Sequence, residues 1–122
     1  MRLLRDQRHD IGLWGSGAFR KAADQGDAVA EFLLGNQYAN SGGVPQDFSE
    51  AMIWFGRAAA QAHPVAMLHL GVMYAEGRGV PQDYVRAHMW FSLAAARGQQ
   101  IAVTTLEMAE RKMTPAQITE AQ

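Results

Sequence analysis

The feature that most constrains this chain is that it says the same thing twice. Gly43-Val44-Pro45-Gln46-Asp47 recurs letter for letter as Gly79-Val80-Pro81-Gln82-Asp83, and the flanks recur with it. Leu34-Gly35 and Tyr38-Ala39 return as Leu70-Gly71 and Tyr74-Ala75. Ala51, Trp54-Phe55 and Ala58-Ala59-Ala60 return as Ala87, Trp90-Phe91 and Ala94-Ala95-Ala96. Laying 30–65 on 66–101 without a gap gives 16 identities in 36 positions. A period of this length is the signature of stacked helical hairpins, each too small to bury its apolar face without a neighbour. The fold class this predicts is all-α, a solenoid of hairpins.

Composition narrows the rest. A chain of 122 residues, 48% of them apolar, is one domain with a modest core. A net charge of −1 gives no broad positive field, which argues against nucleic acid as a partner. With no cysteine there are neither disulfides nor thiolate metal sites. Residues Met1 to Asp10 carry Arg2, Arg5 and Arg8 but no apolar run of signal-peptide length, and no stretch is long and apolar enough to span a membrane. The expectation is a soluble, cytoplasmic protein, periplasmic or secreted if a signal precedes this sequence.

Taken in order, residues 1–15 are irregular, because Gly12 and Gly15 disfavour a helix and the repeat pattern has not begun. The solenoid is predicted over 16–113. Its full units cover about 28–63 and 64–99, with partial units at both ends. Phe19 and Ala22-Ala23 match Phe55 and Ala58-Ala59, so the first segment reads as the second helix of a hairpin, ended by Gly26. In each full unit a first helix (28–40, 64–76) carries Ala, Leu and Tyr four residues apart, one packing face. Gly35 and Gly71 within these helices mark a close contact between helices. The turn follows, with Pro45 and Pro81 keeping the preceding residue out of helix. Asp47 and Asp83 are N-caps, Asp47 with Glu50 as a capping-box pair. The second helices (48–61, 84–97) turn Trp, Phe and Ala inward, and Gly98 ends the latter. Ala62 stands where Gly26 and Gly98 have glycine, so a positive φ there carries strain. A helix over 100–112 and a capping helix in 114–122, opened by Thr114-Pro115-Ala116-Gln117, complete the chain.

These residues resemble the Sel1-like repeat, a relative of the tetratricopeptide repeat. The resemblance rests on Ala-x-x-x-Leu-Gly-x-x-Tyr, Gly-Val-Pro-Gln-Asp and Ala-x-x-Trp-Phe-x-x-Ala-Ala, present twice in full and covering roughly 18–112. Ser41 and Ala62 depart from it where the family has glycine. It implies a right-handed α-α superhelix that binds proteins or peptides as an adaptor or scaffold. Family members credited with binding β-lactam compounds are cysteine-rich, so that activity is not implied here.

No catalytic, cofactor-binding or metal site is expected. Asp47 and Asp83 have capping roles. His9, His63, His69 and His88 form no ligand cluster and read as surface histidines. Nucleophile and phosphate-loop motifs are missing. Trp54, Trp90, Tyr38 and Tyr74 sit at packing positions, and Met52, Met67, Met73 and Met89 read as fillers of a helical core. The expected function is therefore a non-catalytic interaction module. A self-associating structural unit is the alternative, with the N-terminal end around Leu13 and Trp14 as its surface, and an enzyme-associated regulatory domain ranks behind both. Resemblance to tetratricopeptide repeats implies a partner-binding stripe on the first helices. Here it comprises Phe32, Asn36 and Asn40, then Leu68, Val72 and Glu76, then Met108. An apolar strip with a few polar anchors suits a protein or peptide ligand.

Overall fold

The computed structural model of the chain describes residues 20–41 and 45–122. After the helical residues 20–24 come six helices: α1 (Ala28–Asn40), α2 (Phe48–Ala60), α3 (Pro64–Glu76), α4 (Tyr84–Ala96), α5 (Gln100–Glu110) and α6 (Pro115–Ala121). No strand occurs among the described residues. Each helix from α1 to α4 packs on the one that follows it, and α6 returns to lie on α4. The segment around Leu13 and Trp14, read above as a self-association surface, lies outside the described residues.

The repeated Gln-Asp pair explains how each hairpin closes. Asp47 and Asp83 share one backbone conformation (φ −152°, ψ 98°), and the Oδ1 of each accepts from the backbone N–H three residues on at 3.1 Å. The expected capping box at Asp47 is only half made. Its own N–H donates instead to the Tyr38 carbonyl at 2.9 Å, as that of Asp83 does to Tyr74. The preceding glutamines bind the same helix end: Gln46 and Gln82 each donate Nε2–H to the carbonyls of Ala39 and Ala75, at 2.9 Å. One residue thus satisfies the closing turn of the first helix and the next opens the second, which is why the pair recurs as a unit.

Left-handed residues end most of these helices. Gly26 (φ +89°) and Gly98 (φ +92°) do so without strain, and Ala62 adopts φ +65° as the sequence suggested. Ser41 (φ +58°) does the same where its repeat partner is Gly77 (φ +70°). A side chain in this region costs about 1–2 kcal/mol, which tertiary packing on both sides must offset.

Neighbouring aromatics divide the core between units. Trp54 and Phe55 are consecutive, so they point about 100° apart around α2. Trp54 faces back onto Ala23, Ala30 and Leu34, whereas Phe55 faces forward into a cluster with Met67, Leu70 and Met73. Phe91 repeats the forward role in a third cluster, where Ala109 and Met113 meet it and Ile118 and Ala121 of α6 cover it. Gly35 and Gly71 are where the rings press closest: a Cβ at either would come within 3.0 Å of the Phe55 or Phe91 ring. The close contact predicted for these glycines is thus an aromatic ring against helix backbone.

Two sequence expectations need correction, and a third, the packing position of Trp90, is met against the core but with less burial. Met67 and Met73 are core fillers, but Met89 is 45% exposed, because it stands on the outward side of α4 as Ile53 (51%) does on α2. Trp90 is only half-buried, unlike Trp54. Of the described histidines, His88 is buried, and His63 and His69 are half-buried, so none is a surface histidine.

Candidate functional site

The first helices of successive units stand apart enough to leave grooves between them, floored by aromatics of the second helices. Between α1 and α3 runs a groove of about 310 Å³ with Phe48 and Phe55 at its base and Asn36, Asn40, Leu68, Val72 and Glu76 among its walls. Between α3 and α5 lies another of about 260 Å³, floored by Tyr84 and Phe91 and walled by Val72, Glu76, Thr105, Met108 and Lys112. Every residue lining the second groove stands 36 positions after one lining the first, from Asn36 and Val72 to Glu76 and Lys112. They are one groove written twice, and Val72 and Glu76 on α3 belong to both.

Six of the seven residues in the expected stripe line these grooves: Asn36, Asn40, Leu68, Val72, Glu76 and Met108. Phe32 does not. Its ring stacks on His63 (5.1 Å between centroids) and packs on Phe55 (5.7 Å) and His69 (5.2 Å), bridging α1 to α3. The stripe's chemistry changes along its length. Asn40 donates to Asn36 Oδ1 at 2.7 Å, a polar pair at one end, and Met108 stands 54% exposed at the other. Glu76 is paired with Arg78 at 3.5 Å, both half in solvent, an interaction worth little in stability and open to exchange.

A family model described as "Sel1 repeat" matches residues 19–27, 28–63 and 64–99, most of the chain and both full units. The chain belongs to the Sel1 repeat family. It is similar to the crystal structure of a protective antigen present in uropathogenic Escherichia coli strains displaying an SLR fold, with a TM-score of 0.85 and 36% identity, covering 87% of this chain and 23% of that one. It is also similar to a Sel1 repeat protein from Oxalobacter formigenes, with a TM-score of 0.73 and 33% identity, covering 76% of this chain and 38% of that one. The chain thus spans well under half the length of either. No curated protein sequence matches it.

Within this Sel1 solenoid the histidines have structural partners that sequence reading missed. His63 is the N-cap of α3, its Nδ1 accepting from Ala66 N–H at 3.2 Å. The signal was available: Asp27, one repeat earlier, caps α1 in the same way at 2.9 Å. Burial first, and the neighbouring His69 second, hold the His63 pKa below its usual value, keeping Nδ1 free to accept. His88 meets Glu110 at 2.8 Å, joining α4 to α5. Both depart from the repeat, since their counterparts are Met52 and Tyr74. The buried Glu31 is answered by Gln61 Nε2 at 2.6 Å. Among the described residues no group of three or more His, Cys, Asp or Glu could hold a metal ion, and no helix is long and apolar enough to cross a membrane.

Proposed function

We propose that this Sel1 repeat chain is a non-catalytic adaptor that takes a peptide or a partner helix along the paired grooves of its first helices. The observation that carries the reading is the repetition of the grooves: successive stretches of one ligand would meet equivalent walls in α1–α3 and α3–α5, with Val72 and Glu76 shared at the centre. Aromatic floors supply apolar burial, while Asn36 and Asn40 at one end, Glu76 at the centre and Lys112 at the other end supply register. Met108 is exposed at the groove rim and Val72 is only partly covered by the core around Phe91, so a ligand lying in the grooves would bury more of both apolar side chains.

Peptides selected from a random display library against the native chain give the means to check this. They are rescored against Val72→Glu combined with Asn36→Ala, with thermal melting alongside. The expected result is a loss of binding of at least about tenfold with melting little changed, since both side chains border open space. Peptides that bind the folded double variant at native strength would move the site off these grooves.

A further inference from the structure

The two full units treat their tryptophans differently, and the difference leaves one aromatic face with a space that the other unit fills. Trp54 is 4% exposed. The Arg20 guanidinium lies 5.5 Å from its ring centroid and that of Arg57 4.7 Å, and Arg20 also donates to the Tyr38 hydroxyl. The first unit therefore contains a guanidinium slot, walled by Trp54 and ended by Tyr38. One repeat later Trp90 and Tyr74 are kept, but Gly56 stands in place of Arg20 and Leu93 in place of Arg57. A Cβ built at Gly56 would meet no atom within 4 Å, so a side chain can leave the helix there without a clash.

Trp90 and Tyr74 line a cavity of about 820 Å³ together with Asp83, Arg86, Leu93 and Glu120. Two carboxylates therefore face it against one guanidinium. That guanidinium is committed to the tyrosine end: Arg86 lies 5.8 Å over the Tyr74 ring and 3.5 Å from Asp83. Among the described residues no cation lies over Trp90. Glu120, contributed by α6, also lines the cavity and adds a negative charge to it.

We propose that this cavity receives an arginine side chain from a partner protein, its guanidinium stacking on Trp90 and pairing with Glu120 as Arg20 stacks on Trp54 within the chain. Arginine suits the space better than lysine because its planar, weakly hydrated head can lie on an indole and bond a carboxylate at once. The cavity shares no lining residue with either groove, so it stands or falls apart from the adaptor reading. A single contact of this kind binds weakly and would act as one anchor of a larger interface.

The probe is acetyl-Gly-Arg-Gly-amide, titrated while the indole Nε1–H resonance of Trp90 is followed and assigned through Trp90→Phe. A saturable shift of Trp90 is expected, with Trp54 unmoved because its slot is already filled. The lysine analogue should act more weakly and the leucine analogue not at all. Gly56→Arg, which supplies the guanidinium from the chain's own helix, should weaken the response about tenfold, whereas Gly56→Ala should preserve it. Glu120→Gln, on the exposed α6, should weaken it about two- to fivefold. Arg86→Glu, which restores the acidic residue of the first unit (Glu50), should strengthen it. The proposal is overturned by an absent Trp90 shift, by an equal response to the lysine or leucine peptide, or by an undiminished response in folded Gly56→Arg.

Discussion

At the scale of single residues, His63 shows how a fold can acquire a pH response from a cap. Its folded pKa lies below the 6.5 of an unperturbed histidine, so the unfolded chain takes up the proton first as pH falls. The stability His63 contributes is complete above about pH 6.5 and is lost as pH drops through the folded value, because burial first and His69 second disfavour the charged ring, and a proton on Nδ1 also removes the acceptor for Ala66 N–H. Melting temperature should therefore fall between neutral pH and about pH 5. His63→Asn keeps an acceptor that does not titrate, so its melting should fall less over the same range. Equal slopes for the two proteins would remove His63 from the account, whatever His69 and His88 contribute. Gly71 presents the opposite case, a residue that must stay small. Gly71→Ala gains about 1 kcal/mol of helix propensity but drives a methyl into the Phe91 ring, an overpacking cost of about 1–3 kcal/mol. A net loss of about 1 kcal/mol in chemical denaturation is expected, and a gain would mean the ring yields freely.

At the scale of elements, the turn between helices is the part most worth perturbing. Asp83→Ala should destabilise by about 1 kcal/mol, the usual loss of a capping side chain, with little effect on peptide binding beyond what that loss explains. Binding abolished at an unchanged melting temperature would give Asp83 a direct role in recognition. Helix positions were legible in the sequence where chemistry brackets them: Asp47, Asp83 and Thr114 open helices, and Gly26 and Gly98 follow helix ends, whereas α5 opens at Gln99 with no side-chain cap. The side of the first helices that the stripe occupies was taken from resemblance to tetratricopeptide repeats, and the spacing of four residues then sets Asn36, Asn40, Val72 and Glu76 along it. Phe32 obeys that spacing and still escapes the groove, because the half-buried His63 and His69 offer its ring a partner across the interface. Periodicity assigns a side of a helix, but it does not say which neighbour will reach across to cover it. The His88–Glu110 pair was hidden for a related reason: each residue breaks the repeat alone, and only the fold joins them.

At the scale of the whole molecule, the units interlock in one direction. Each second helix presents its tryptophan to the unit before it and its phenylalanine to the unit after, so stability accumulates through nearest neighbours. A further property follows from the absence of any gap between the copies. Removing residues 30–65 joins Val29 to Ala66 within one continuous helix and leaves every later side chain at its former angle. Removing one residue fewer rotates everything downstream by about 100° and turns Leu70 away from its partners. The shorter protein with the full deletion should therefore keep its helical circular dichroism per residue and melt cooperatively, at a lower temperature, while its near-twin should not. Matching behaviour in the two would mean that phase does not govern assembly. Length in such a chain is quantised: it can grow or shrink only in whole steps, each step adding or subtracting one groove, and the reach of whatever it grips is counted in the same unit.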